Sequence, residues 1–253
     1  MEVLVCVKRV PMVGGRITLT EDGREVDTRL LGFTVSPHEE CAVEEAVRQT
    51  EQHGGSVTVL TLGPEQAADQ LRDAVAIGAS RCLLLVSSGR RWGPVATADA
   101  IAAAARENGP FDLILFGNEA ADTGDFQVGV RVAHLLGMQV ATGAKSLEVD
   151  PVGARATARR EYRGVEEKFH LPLPAVVTVK EGINLPRYPS LPGRMRAKKA
   201  SIESSAPDWR GEGLEMERLV VPKAERRQAE VLGYGKEAVP ALVEVLERIG
   251  AVP

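Results

Sequence analysis

Val57-Thr58-Val59-Leu60-Thr61 and Cys82-Leu83-Leu84-Leu85-Val86 decide the fold, together with the residues that join them. Both runs are short and almost continuously apolar. A strand covered on both faces reads this way, whereas a strand with one wet face alternates. Between them Ala67, Leu71, Ala74 and Val75 share one face at helical spacing. Pro64 stands where that helix opens and Gly78 where it closes. Proline suits the first helical turn, whose N–H groups lack partners anyway. Glycine accepts the backbone turn that ends a helix. The result is a β-α-β unit, and such crossovers are right-handed and build parallel sheets.

The pattern extends both ways. Val3-Leu4-Val5-Cys6-Val7 and Leu113-Ile114-Leu115-Phe116 read as further buried strands. Ala42, Val43, Ala46 and Val47 define one helix, residues 95–105 a second, and Val128, Val132, Leu135 and Leu136 a third. Pro37 and Pro94 stand at openings, and Gly54, Gly109 and Gly137 at ends. Arg16-Ile17-Thr18-Leu19 and Glu25-Val26-Asp27 alternate around Glu21-Asp22-Gly23, a hairpin signal. After Gly137, residues 154–162 and 165–169 predict an antiparallel pair turning at Arg163-Gly164, and 175–179 another buried strand. From Gly182, Pro186, Pro189 and Pro192 predict an extended, semi-rigid segment. Residues 201–221 carry no clear period. A last helix over 236–249 places Ala238, Leu242, Val245, Leu246 and Ile249 on one side, as an arm lying on a partner or on the domain. No internal repeat is present. The expected fold is α/β: a doubly wound, mostly parallel sheet of the adenine-nucleotide-binding, Rossmann-like kind with a C-terminal extended arm and helix. Residues 1–181 form the nucleotide-binding domain, 182–200 a partner recognition loop, and 201–253 the arm and helix.

Composition narrows the function. The 253 residues carry 31 Lys and Arg against 35 Asp and Glu, a net charge of −4. Nucleic acid and anionic membranes select a basic field, so neither is an expected partner. At 44% hydrophobic and 26% charged the chain is that of an ordinary globular protein. No apolar run reaches the roughly 18 residues of a membrane helix. Met1-Glu2-Val3 lacks the basic start of a signal peptide and reads as the first strand of a cytoplasmic protein. Cys6, Cys41 and Cys82 are odd in number and lack a CxxC, so buried free thiols are expected.

The usual catalytic signals are mostly missing. There is no GxSxG, and no GxGxxG follows the first strand. His38-Glu39-Glu40-Cys41-Ala42 opens like a zinc-protease motif, but Ala42 stands where the second His is required. Gly235-Lys236 has Glu230 where a P-loop needs glycine. His53, His134 and His170 read as surface or packing residues. What remains is a nucleotide-type fold without a nucleophile.

Two stretches stand out. Phe116-Gly117-Asn118-Glu119-Ala120-Ala121-Asp122-Thr123-Gly124-Asp125-Phe126-Gln127-Val128-Gly129 runs from a strand's C-terminal end into a helix. Ligands of open α/β sheets bind at that edge. Small residues admit a ligand to the backbone, and helix-start N–H groups favour an anion. Asp122 and Asp125 would repel a phosphate, so they are expected to cap the helix or bind hydroxyls. The second stretch, 182–199, holds Arg187, Arg194, Arg196, Lys198 and Lys199 and no acid. Tyr188, Leu191 and Met195 are interleaved with these bases. A stiff apolar knob ringed by charge suits docking to an acidic protein, because charge steers and the knob anchors. RNA would call for more aromatic platforms than one Tyr.

These residues resemble the β subunit of an electron transfer flavoprotein. Val3-Leu4-Val5-Cys6-Val7-Lys8-Arg9-Val10 resembles the family's opening strand, and Ala42-Val43-Glu44-Glu45-Ala46 its first helix. Pro186-Arg187-Tyr188-Pro189-Ser190-Leu191-Pro192, with Met195 and Ala197-Lys198-Lys199, is similar to the family signature. The resemblance covers roughly residues 1–200. It implies a heterodimer with an α subunit that holds most of one FAD, while the β subunit commonly holds a structural AMP. The complex would take electrons from flavin dehydrogenases and pass them to a quinone oxidoreductase or another acceptor. By position, nucleotide contacts fall on Cys6, on Ser36, Pro37, His38 and Glu39, on Leu62, and on Asp122, Thr123, Gly124, Asp125, Phe126, Gln127, Val128, Gly129, Val130, Arg131, Val132 and Ala133. Partner contacts fall on Arg187, Tyr188, Leu191, Arg194, Met195, Arg196, Lys198 and Lys199, with Leu191 the residue seated in the dehydrogenase.

The chain departs from the family in its nucleotide loop. Where many members carry Asn-Gln-Thr-Gly-Gln, it has Phe126-Gln127-Val128-Gly129-Val130. Thr123, Gln127 and backbone N–H groups are left to grip phosphate. Ser36 replaces a usual Asn and His38 a common Phe. Some members hold a second FAD in this pocket and split electron pairs, and the sequence leaves AMP, a second FAD and an empty pocket open. The expectation is an electron-carrier subunit rather than an enzyme. The alternatives are an adenine-nucleotide enzyme of the ATP pyrophosphatase or adenylyl transferase type, or a nucleotide-sensing module. The former needs a phosphate-gripping motif after the first strand, where Lys8-Arg9-Val10-Pro11 stands.

Overall fold

The computed structural model describes residues 1–14, 17–211, 216–222 and 229–252. Its strands are β1 (Glu2–Val7), β2 (Val10–Pro11), β3 (Phe33–Thr34), β4 (Ser56–Gly63), β5 (Arg81–Val86), β6 (Leu113–Gly117), β7 (Gln139–Ala144), β8 (Ser146–Asp150), β9 (Arg155–Tyr162), β10 (Val165–Pro172), β11 (Ala175–Val179) and β12 (Ile202–Ser205). Its helices are α1 (Pro37–His53), α2 (Ala68–Ile77), α3 (Pro94–Asn108), α4 (Val128–Leu136), α5 (Leu191–Lys199) and α6 (Val239–Arg248). Residues 1–217 pack as one unit and 218–253 as another.

The first unit is built on a seven-stranded sheet in the order β12-β5-β4-β1-β6-β11-β7. All of its pairings are parallel. The β-α-β expectation therefore holds, and the sheet is doubly wound. Alternate side chains of β1 serve two cores. Val3, Val5 and Val7 pack with Ala42, Ala46 and Val47 of α1 and Leu71 and Ala74 of α2. Leu4 and Cys6 pack with Ala98, Ile101 and Ala104 of α3 and Val132 of α4. An antiparallel sheet, β10-β9-β8, contributes Leu147, Val149, Ala156 and Ala158 to the first core.

Several expectations change. The segment 182–199 is not extended throughout, because residues 191–199 form α5. Ser190 caps this helix, its hydroxyl accepting from the Gly193 N–H at 3.1 Å. Pro192 falls in the first turn, where proline does not break a helix. The unread stretch 201–221 contains β12, which adds a parallel strand beside β5. The 154–162 hairpin is joined by β8 into three strands. Around Asp22 a single bridge, Leu19 to Val26, forms among the described residues, and Arg16 lies outside them. The last helix is shorter than 236–249: a 3-10 turn at Gly235–Ala238 leads into α6.

Leu115 is fully buried at the centre of β6, between β1 and β11. Leu115→Ala removes its packing and leaves a cavity, so it should cost about 2–5 kcal/mol of stability, read as a lower urea midpoint at unchanged slope.

Candidate functional site

The chain winds from β1 through α1 to β4 and β5, then returns by α3 to place β6 on the other side of β1. Successive crossovers therefore leave β1 in opposite directions. Where they part, the C-terminal ends of the strands open a crevice. A cavity of about 1440 Å³ lies there.

Most expected nucleotide residues meet in it. Cys6 ends β1, Leu62 lies near the end of β4, and Glu39 stands in the first turn of α1. Asp122, Thr123, Asp125 and Phe126 come from the loop after β6. Gln127, Val128, Gly129 and Arg131 come from the start of α4. The remaining expected residues lie elsewhere. Ser36 caps α1, and Pro37 and His38 follow it without lining the cavity. Gly124 and Val130 also lie off its wall, and Val132 and Ala133 are core residues. On α4 the reason is helical geometry: a helix beside a cavity turns one face to it, so Val130, Val132 and Ala133 point elsewhere.

Neither aspartate caps α4. Asp122 accepts from Lys8 Nζ at 2.7 Å, and Asp125 accepts from Gln127 Nε2 at 3.2 Å. The helix starts at Gln127 with no side-chain cap. Its first-turn N–H groups thus stay open to an acceptor beside the cavity, which suits an anion. Sequence reasoning missed the loop after β5. Ser87, Arg90, Arg91 and Trp92 line the cavity from there. Trp92 is fixed by its Nε1–H, which donates to the Ser87 carbonyl at 3.0 Å. The same strand-end rule that drew attention to 116–129 applies to Arg90-Arg91-Trp92-Gly93-Pro94 and would have found it. Trp209 and Met216 also reach the cavity, from a stretch with no sequence pattern.

Glu39 is the cavity's most perturbed acid. It is buried, and its carboxylate completes a capping box by accepting from the Ser36 N–H at 3.2 Å and hydroxyl at 3.0 Å. Gly117 makes the approach possible, since a Cβ there would stand 2.6 Å from Glu39 Cγ. Burial pushes the Glu39 carboxyl up to about 7, against the pull of the Ser36 bonds and of Lys8. Burial and the nearby Glu39 carboxylate raise the Cys6 thiol far out of the nucleophilic range.

The docking candidates lie toward the opposite edge of the sheet, at the C-terminal ends of α1 and α2. Tyr188 is 94% exposed and Leu191 75%. Met195, Arg194, Arg196, Lys198 and Lys199 are also exposed, on α5. Arg187 differs, being paired with Glu44 and Glu51 of α1.

The family model for the electron transfer flavoprotein domain matches residues 26–208. The chain belongs to the electron transfer flavoprotein family. Its relatives there are named subunit beta. The one from Bradyrhizobium diazoefficiens is 38% identical over 83% of each chain. The one from Bacillus subtilis is 37% identical over 73% of this chain and 69% of its own. The human one is 34% identical over 100% of this chain and 99% of its own. Membership as a β subunit favours the electron-carrier role over the nucleotide-enzyme and sensor alternatives. No helix among the described residues is long and apolar enough to cross a membrane.

Glu39 yields a pH prediction. Its folded carboxyl titrates near 7, above the 4.5 of a free glutamate, so the folded chain holds that proton more tightly than the unfolded one. The buried carboxylate therefore opposes folding increasingly as pH rises from about 4.5 to about 7, and its effect is constant above. Urea titrations at pH 5 and pH 8 should show Glu39→Gln removing this loss, and an unchanged pH difference would refute the assignment.

Proposed function

We propose that the chain is the β half of a heterodimeric electron carrier, paired with an electron transfer flavoprotein α subunit that holds most of a shared FAD. It takes electrons from flavin dehydrogenases and hands them to a quinone oxidoreductase or another acceptor. The observation that supports this best is the separation of two surfaces. One sheet edge has a nucleotide-sized cavity with no reactive nucleophile among the described residues, and the other has an exposed apolar knob among bases. A carrier needs a cofactor environment and a docking surface, and it needs no group that attacks substrate.

The cavity's residues fit an adenine nucleotide, either AMP or a second FAD. Trp92 and Leu62 offer apolar surface for a flat ring. The uncapped start of α4, with Thr123 and Gln127, suits phosphate, and Arg90, Arg91 and Arg131 supply positive charge. Flavin bound to the complex supplies the one- and two-electron chemistry. The residues of this chain bind, shape the electrostatic setting and fix the distance of approach. Arg194, Arg196, Lys198 and Lys199 draw in an acidic dehydrogenase, and Tyr188, Met195 and above all Leu191 anchor it. In this reading residues 1–181 hold the nucleotide, 182–200 recognise the partner, and 201–253 form an arm. The complex works in the cytoplasm.

Co-expression with the α partner should give a yellow heterodimer that releases FAD and AMP on denaturation. Two FAD per dimer would mark a pair-splitting member, and a colourless monomer would overturn the reading. Leu191→Ala should leave flavin content unchanged and lower the rate of electron acceptance from the dehydrogenase by about tenfold or more.

A further inference from the structure

Arg187 lies among residues suited to steer a partner by charge, yet its half-buried guanidinium turns back onto α1. Its Nε donates to both oxygens of Glu44, at 2.9 and 3.2 Å, and its Nη2 donates to Glu44 Oε1 at 3.0 Å. Nη1 and Nη2 donate to the two oxygens of Glu51 at 2.6 and 2.9 Å. The Arg187 backbone N–H donates to Glu44 as well, at 3.2 Å. The Glu44 side chain is only 5% exposed. A carboxylate so buried requires a partner, and the planar fork of an arginine fits two carboxylates at once.

The neighbouring residues are fastened too. Asn184 Nδ2 donates to the Cys41 carbonyl and to Glu45 Oε2, both at 3.0 Å. On the other side of Arg187, Gly193 comes so close to α2 that a Cβ would stand 2.2 Å from the Ala76 carbonyl oxygen. Three attachments thus bind 184–193 to α1 and α2. Between and beside them Tyr188 and Leu191 point to solvent.

We propose that Arg187 is a positioning residue: clamped by Glu44 and Glu51, it holds Tyr188 and Leu191 in the arrangement that a flavin dehydrogenase binds. This rests on the docking reading given above. A knob on a loose segment must be ordered during association, which weakens binding, and a knob ordered beforehand avoids that loss. The clamp depends on fork geometry as well as charge. Lysine keeps the charge but offers a single point, so it cannot bridge both carboxylates. A steering role would require only the charge.

The test uses the heterodimer with its FAD-bearing partner, assayed with the substrate-reduced flavin dehydrogenase that reduces it fastest. Arg187→Lys should raise KM for that dehydrogenase about tenfold at unchanged kcat, with the salt dependence of the parent. The amides of 184–193 should exchange with deuterium about tenfold faster or more. The double variant Arg187→Gln with Glu44→Gln removes the risk of a buried unpaired carboxylate and should show the same rise in KM. If Arg187→Lys matches the parent while Arg187→Gln raises KM mainly at low salt, Arg187 steers and the clamp is wrong. If Leu191→Ala raises KM but none of the Arg187 variants does, the clamp alone falls. If Leu191→Ala has no effect either, the docking reading falls and this proposal with it.

Discussion

The structure depends on the double pairing of β1. This strand is hydrogen-bonded to β4 on one side and to β6 on the other, and Val3, Leu4 and Val5 are wholly buried between two helical layers. Because crossovers are right-handed, leaving β1 in one direction puts α1 on one face, and returning past it puts α3 on the other. The crevice is thus a by-product of the winding. The residues that fill it come from strand ends distant in sequence, with Cys6 and Phe116 brought side by side by the β1–β6 register.

The division between the two edges follows from the same geometry. In a parallel sheet the connecting helices run back against the strands. Loops at the strands' C-terminal ends are spread by the crevice and form the cavity, while helix C-termini gather at the far edge. There Glu51, near the end of α1, pairs with Arg187, and α5 packs across α2. Electron transfer requires short approach without chemical bonding, and this fold places the cavity and the exposed knob of α5 apart, so neither need compromise the other.

Much of this was legible in the sequence. Buried parallel strands announce themselves as apolar runs, glycine marked the ends of the first four helices, and proline marked the openings of α1 and α3 and of the turn that leads into α2. The edge of the sheet that carries the cavity followed from strand direction alone. What was not legible has physical reasons. β7 reads Gln-Val-Ala-Thr-Gly-Ala, with Gly143 at a φ of +70° beside an irregular register with β11, so it lacks the signature of a strand. The helix α5 was hidden by prolines that mark an extended chain unless one of them falls in a first turn. Arg187 is an ordinary surface base in sequence. Only the fold shows that Glu44, 143 residues away, is its partner. The family resemblance, carried over by position, marked a continuous block from Asp122 to Ala133, and a helix beside a cavity turns only part of its circumference toward it.

β12 has a consequence for solubility. Without it β5, whose Leu83, Leu84 and Leu85 are buried, would offer its unpaired N–H and carbonyl groups at the rim of an apolar sheet. Such rims recruit strands from other molecules. β12 occupies that rim with Ile202-Glu203-Ser204-Ser205, and Arg81 locks its register by donating from Nε and Nη2 to Glu203 at 2.7 Å. The new rim is short, polar and charged, a poor template for growth. The stretch that looked featureless in sequence therefore acts as the sheet's protective border, keeping a chain made for brief encounters from adhering to its own copies.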